Sequence, residues 1–289
     1  MILKSQLTVG DLTFDLRTAG EESNETVILL HGFPETSHMW TPLMNALIKE
    51  GFYCIAPNQR GYSRDAKPKG KKNYSIEKLA ADIIQINKGL GRDKFHLIGH
   101  DWGAVIGWYL SNQYPELLLS WSALSVPHVQ AFGEAIVSDP IQKRMSAYIR
   151  HFQLPWLPEF NIKKHDHKLL KRHWKNSSKD EVDDYLSVFR EHGTVTAALN
   201  YYRGNYRMLK SASTTTILGD VHVPTLFIWG EADPAIGYYG VEKCQDHVKG
   251  DYNFVKVKGE HWLVQTNYDE VASSVINHLK KYWKILNSK

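Results

Sequence analysis

Short apolar runs alternate with longer stretches of helical period along the first half of the chain. Residues 27–30 (Val-Ile-Leu-Leu) predict a buried strand, followed by a helical stretch over 40–49 and a second strand at 53–56. Residues 74–90 place Ile76, Leu79, Ala80, Ile83, Ile84 and Ile86 close to a helix period, with Ser75 as the expected N-cap. A strand follows at 95–98, a helix at 104–114 closed by Pro115, and a strand at 121–126. Strands separated by helices of this length imply βαβ units and a parallel sheet.

The alternation then stops. Between residues 127 and 213 no strand pattern is evident. Amphipathic segments cover 135–152, 164–174, 179–192 and 194–209, with Pro155 and Pro158 as breaks. Strand patterns resume at 225–229 and 252–257, and a last helix is expected over 269–286. An all-helical block inside an α/β chain reads as a cap inserted over one end of the sheet, where open α/β sheets bind ligands. The expected division is a core of residues 1–127 and 214–289 with a cap of residues 128–213.

Composition narrows the class without choosing a reaction. The 289 residues are 43% apolar and 12% aromatic, which excludes a disordered chain. No apolar stretch approaches the roughly 18–20 residues of a membrane span, and the N-terminal residues lack a signal-peptide core. Cys54 and Cys244 have no CxxC partner and read as reduced thiols in a cytoplasmic protein. A formal charge of +4 is too small to imply nucleic acid. The basic runs at 67–72 and 163–167 read as solvated faces. His165-Asp166-His167 lacks a third metal ligand, and no cofactor motif is present.

The sharpest local signal is Gly99-His100-Asp101-Trp102-Gly103, set between an expected strand and an expected helix. A small-x-nucleophile-x-small pentapeptide at such a turn is the elbow of the α/β-hydrolase fold, a mostly parallel sheet flanked by helices. The glycines are needed because side chains beside so sharp a turn would collide. An Asp in the middle decides the chemistry. A carboxylate attacks ester or amide carbonyls poorly but displaces a leaving group at saturated carbon. The acid and base should follow in chain order. Asp233, after the strand at 225–229, and His261, after the strand at 252–257, fill those roles, with Glu231 a less favoured acid. His31-Gly32-Phe33-Pro34 follows the first strand, where the fold forms an oxyanion hole from the amides of Phe33 and Trp102.

With these residues in place the sequence resembles the epoxide hydrolases of the α/β-hydrolase fold. The likeness runs through HGFPETSHMW, APNQRGY, GHDWGAVIGWY, WGEADP and GEHW. That family carries two cap tyrosines that hydrogen-bond the epoxide oxygen. The matching stretches here are Tyr148-Ile149-Arg150-His151-Phe152-Gln153 and Asn200-Tyr201-Tyr202-Arg203, so the resemblance implies Tyr148 and Tyr202 as ring-opening acids. The reactants it implies are an epoxide and water. Trp40, Trp102, Phe152, Trp156 and Trp262, in or near segments expected to face the pocket, suggest that the epoxide is largely apolar. His31, Pro34, Trp40, Phe152, Trp156 and Trp262 are the expected pocket residues.

Two other readings stay open at this level. Haloalkane dehalogenases share the Asp nucleophile, but usually carry Asn where this chain has Phe33 and need no proton donor. Fluoroacetate dehalogenases usually follow the nucleophile with Arg, where this chain has Trp102. A ligand-binding protein that kept the pocket and lost turnover is the reading from a different class.

Overall fold

The computed structural model describes residues 1–210 and 218–287. Two strands that the apolar runs did not predict begin the chain. β1 (Leu3–Val9) and β2 (Leu12–Ala19) form an antiparallel pair in which Leu3 faces Thr18 and Val9 faces Leu12. β1 is largely solvent-exposed, so it carries no apolar run to betray it. β2 lies antiparallel on β4, leaving these strands as one edge of the sheet.

The remaining strands are β3 (Glu25–Leu30), β4 (Phe52–Pro57), β5 (Phe95–His100), β6 (Leu118–Leu124), β7 (Thr225–Gly230) and β8 (Tyr252–Val257). The sheet order is β1-β2-β4-β3-β5-β6-β7-β8, and β3 to β8 run parallel. Strands β4, β5 and β7 are buried along their whole length, because helices cover both faces of a parallel sheet. β6 ends two residues earlier than the pattern predicts, since Ser125 takes a positive φ of 69°.

The helices before the insertion are α1 (Thr41–Lys49), α2 (Ile76–Gly89) and α3 (Trp102–Gln113). Ser75 stands at the N-cap of α2 with an extended backbone, yet its side chain makes no capping bond. Asn205 from the inserted block supplies that bond instead, its Oδ1 accepting the Ile76 N–H at 2.8 Å. A helix of the sheet layer is thus capped by a residue about 130 positions away.

Between β6 and β7 every described regular element is helical. The expected segment at 135–152 divides into α4 (Val129–Ser138), α5 (Pro140–Met145) and α6 (Ala147–His151). Pro140 cannot continue α4, and the Asp139 carboxylate caps α5 through the N–H groups of Ile141 and Gln142. Pro158 does not break a helix but lies in the first turn of α7 (Leu157–Lys171), where a missing N–H does no harm. α7 is interrupted at residues 164–167, three of which have positive φ. α8 (Lys179–Phe189) opens on a Ser178/Glu181 capping box, and α9 (Thr194–Gly204) and α10 (Tyr206–Lys210) follow. The expected cap boundary at 213/214 lies outside the described residues.

The helical block is tied to loops at the carboxyl ends of the strands. Trp174 Nε1 donates to the Pro34 carbonyl at 3.1 Å, and the Tyr201 hydroxyl to the Arg60 carbonyl at 2.7 Å. Asp184 on α8 accepts from Arg17 of β2 at 2.5 Å and from the Thr36 hydroxyl at 2.6 Å. The chain closes with α11 (Tyr238–Lys243), α12 (Leu263–Thr266) and α13 (Tyr268–Asn287).

Candidate active site

Asp101 stands alone between β5 and α3 with φ 52° and ψ −116°, a backbone conformation that non-glycine residues rarely adopt. The neighbouring chain forces it there. A Cβ on Gly103 would lie 2.0 Å from the Leu30 carbonyl oxygen, and one on Gly32 would lie 2.3 Å from the Asp101 Cβ. Those two positions let the elbow and the loop after β3 come into contact. The carboxylate is then presented at the start of α3, where helix N–H groups favour an anion.

The Asp101 Oδ1 accepts a 2.7 Å hydrogen bond from the Phe33 N–H. Among the described residues this is the one backbone N–H placed on that carboxylate. The Trp102 amide, expected beside it, makes no such bond in the resting site. Asp101 Oδ2 faces His261 Nε2 at 3.6 Å. On the far side of the ring, Nδ1 lies 2.7 Å from Asp233 Oδ2. The second Asp233 oxygen accepts from the N–H groups of Ala235 (2.7 Å) and Ile236 (3.0 Å), which fixes the carboxylate plane. The His261 carbonyl accepts from Ser125 Oγ at 2.7 Å and His100 Nε2 at 2.9 Å. His261 is therefore held by its backbone as well as its ring. Glu231 is exposed and pairs with Lys256, so it takes no part in this row.

Electrostatics follow from burial and proximity. Burial pushes the Asp101 carboxyl up, but the hydrogen bond and charge of His261, with His100 and the Phe33 N–H, outweigh it and hold the group below the ordinary range. Burial pulls His261 down, and the Asp233 charge together with Asp101 reverses this, raising the ring to about 10. Burial, reinforced by the Asp101 charge, raises both Tyr148 and Tyr202 well above the usual phenol range, so both remain neutral donors.

Tyr148 and Tyr202 come from α6 and α9 and meet over Asp101. Their rings are 5.9 Å apart, and Tyr202 packs edge-on against Trp102 (5.1 Å) and Phe33 (5.9 Å). Asp101, Trp102, Tyr148, Tyr202 and His261 all line one narrow cavity. Phe152 joins the aromatic cluster, 5.0 Å from Tyr202.

Four expected pocket residues do other things. His31 is fully buried and braces the loop, its Nε2 accepting the Gln59 N–H at 3.1 Å. Pro34 accepts the Trp174 bond from the cap. Trp40 is fully buried core, and Trp262 packs between His261 and His173 without lining the cavity. Trp156 is a correction. It stands 72% exposed at the N-cap of α7, where its φ is 51°, and does not line the cavity. Phe132, Ile149 and Leu209 do line the cavity and were not anticipated. Their only sequence signal is an apolar position on a cap helix, which a core residue shares.

The described residues contain no group of three His, Cys, Asp or Glu able to hold a metal ion, and no described helix is long and apolar enough to cross a membrane.

The family pattern of the alpha/beta hydrolase fold matches residues 25–268. Epoxide hydrolase 4 of Homo sapiens is 32% identical, the match covering 93% of this chain and 76% of that one. The chain belongs to the α/β-hydrolase family, in its epoxide hydrolase group. The AB hydrolase superfamily protein YfhM of Bacillus subtilis (strain 168) is 30% identical to this hydrolase, over 95% of this chain and 96% of the other. A solved Bacillus megaterium epoxide hydrolase in complex with an inhibitor superposes with a TM-score of 0.84 at 26% identity. That superposition covers 96% of this hydrolase and all of the other chain.

Proposed function

We propose that this hydrolase opens largely apolar epoxides to vicinal diols through an ester to Asp101. The observation that carries the reading is the row Asp233–His261–Asp101 facing two neutral phenols across one cavity. Oδ1, bound by the Phe33 N–H, becomes the ester carbonyl oxygen, which leaves Oδ2 as the attacking atom. Oδ2 bonds to an epoxide carbon while that carbon's bond to oxygen breaks. Tyr148 or Tyr202 gives its proton to the departing alkoxide, a stronger base than phenolate.

In the second step His261, oriented by Asp233, takes a proton from water, and the resulting hydroxide adds to the Asp101 carboxyl carbon. Charge then develops on Oδ1, against the Phe33 N–H and, as the ester geometry changes, the Trp102 N–H. Collapse breaks the ester bond, the imidazolium protonates the leaving diol alkoxide, and the proton left on the regenerated Asp101 carboxyl passes to the phenolate, which restores the starting state. No metal or cofactor is needed for this sequence.

We assign the reaction's acids to a cap of residues 128–213 and its nucleophile and base to a core of 1–127 and 214–289. Two buried, unpaired thiols, each raised to about 12 by burial, fit a cytoplasmic protein. Paired tyrosines and Phe33 in the oxyanion loop favour epoxide opening over halide displacement, which needs no proton donor.

The test is product formation from racemic styrene oxide and from 1-bromobutane in parallel, with Asp101→Ala as the blank. Diol without bromide supports the reading; bromide without diol moves the activity to dehalogenation, and neither product leaves a binding protein. The His261→Gln variant should accumulate the ester, and an intact-mass spectrum without an adduct would refute the covalent route.

A further inference from the structure

The cap stretch 150–175 carries exposed aromatic rings and exposed cations without ion pairs among the described residues, and the reaction uses neither. Trp156 is 72% exposed, Phe160 59% and Leu154 44%. The Phe160 N–H donates to the Trp156 carbonyl, so the two rings stand one helical turn apart on α7. Their exposure is built into the fold. Arg203 donates to the carbonyls of Phe152 (2.8 Å) and Leu154 (2.7 Å) and grips both Glu159 oxygens, locking the segment that presents Trp156.

Charge is concentrated on the same stretch. From Arg150 to Lys175 the chain has seven Lys and Arg against two acidic residues, whereas the remainder has 28 against 29. Both local acids are already bound, Glu159 by Arg203 and Asp166 by Lys171 and Arg190. Lys163, Lys164, Lys168 and Arg172 are exposed and make no ion pair among the described residues. The whole positive excess of the sequence thus falls on the stretch that holds its most exposed aromatic side chain.

We infer that this face docks on an anionic lipid surface, with Trp156 and Phe160 entering the headgroup boundary and the four cations meeting anionic headgroups. Indole rings favour that boundary because one end is apolar and the other donates a hydrogen bond. Lysine stems lie along apolar surface while their ammonium groups reach outward. A cluster of cations without local acids is complementary to a uniformly anionic surface. Arg203 of the clamp directly follows Tyr202, which lines the cavity, on α9. The docking does not depend on the reaction proposed above and is read without turnover.

Sedimentation of the full chain with sucrose-loaded vesicles tests it. The protein should bind vesicles of roughly 30% phosphatidylserine at least about tenfold more tightly than phosphatidylcholine alone, and release between about 0.1 and 0.5 M salt. Lys163→Glu/Lys164→Glu and Trp156→Ser/Phe160→Ser should each weaken binding by about tenfold or more while circular dichroism and melting temperature hold. Absence of vesicle binding, equal binding to neutral lipid, or variants that bind like the parent overturn it. So does a dimer in light scattering that the Trp156→Ser/Phe160→Ser variant abolishes, which would assign the patch to a second copy of the chain.

Discussion

The proposed nucleophile and the proposed proton donors are held by different kinds of force. Asp101 is fixed by backbone sterics, wedged where the elbow and the loop after β3 leave room for no side chain on Gly32 or Gly103. Tyr148 and Tyr202 are fixed by side-chain packing, in a cluster with Phe33, Trp102 and Phe152. Backbone contact tolerates almost no change, while aromatic packing tolerates loss of a hydroxyl if the ring stays. The sheet half of the site is therefore rigid by construction, and the cap half is adjustable.

The largest effect should come from crossing that line on the sheet side. Gly103→Ala puts a Cβ 2.0 Å from a backbone oxygen that cannot move without shifting β3. A loss above about 4 kcal/mol is expected, seen as failure to accumulate soluble protein or as a collapsed melting temperature. A soluble, fully active Gly103→Ala protein would show the elbow to be less tightly wedged than the distances imply.

On the cap side, Tyr148→Phe and Tyr202→Phe should each leave the melting temperature within about 1 °C, since the rings keep their neighbours. Ester formation should slow by about 10²-fold in each. The double variant should lose more than either alone, because each phenol partly covers for the other. Rapid-quench measurement of the first turnover separates this from the hydrolytic step. Equal rates in all three variants would make the tyrosines packing residues.

A smaller effect distinguishes the two halves by pH. His261 acts as a base only when neutral, and in the free site its neighbours raise it to about 10. Forming the ester removes the Asp101 charge, so the ring's pKa falls below that value at the step that needs the base. Ester hydrolysis should therefore rise with pH, by up to about tenfold per unit, and level off once the imidazole is neutral. The tyrosines, raised well above their usual range, add no second inflection. Single-turnover decay of the ester across neutral pH reads this directly. A rate that falls as pH rises would reverse the assignment.

The same division explains what could be read from the sequence. Backbone sterics restrict residue identity locally, so Gly-x-Asp-x-Gly after an apolar run announces the turn, and its Asp motivates the chemistry proposed here. Asp233 and His261 follow because strand ends are readable. The cap offered no local signal of that kind, and Tyr148 and Tyr202 entered only through resemblance. Apolar helix positions look alike whether they face a cavity or a core, which hid Phe132, Ile149 and Leu209. The reverse error put Trp156 in the pocket, since an aromatic was assumed to point inward. β1 and β2 escaped because a half-exposed edge hairpin has no continuous apolar run.

The seam between the halves should respond most weakly and most informatively. Ser75 occupies the N-cap of α2 but its hydroxyl makes no capping bond, so Ser75→Ala should change stability by less than about 0.5 kcal/mol. Asn205 does the capping from the cap side, and its amide also donates to the carbonyls of Tyr74 and Tyr201 at 2.8 Å each. Asn205→Ala leaves three backbone groups without a partner and should cost about 1–2 kcal/mol in denaturant unfolding. Because Tyr201 precedes Tyr202, the same change should slow ester formation a few-fold while leaving ester hydrolysis, which belongs to the sheet side, unchanged. A loss confined to stability would make Asn205 a cap of α2 alone. Equal slowing of both steps would mean that the two halves of the site are not mechanically separate.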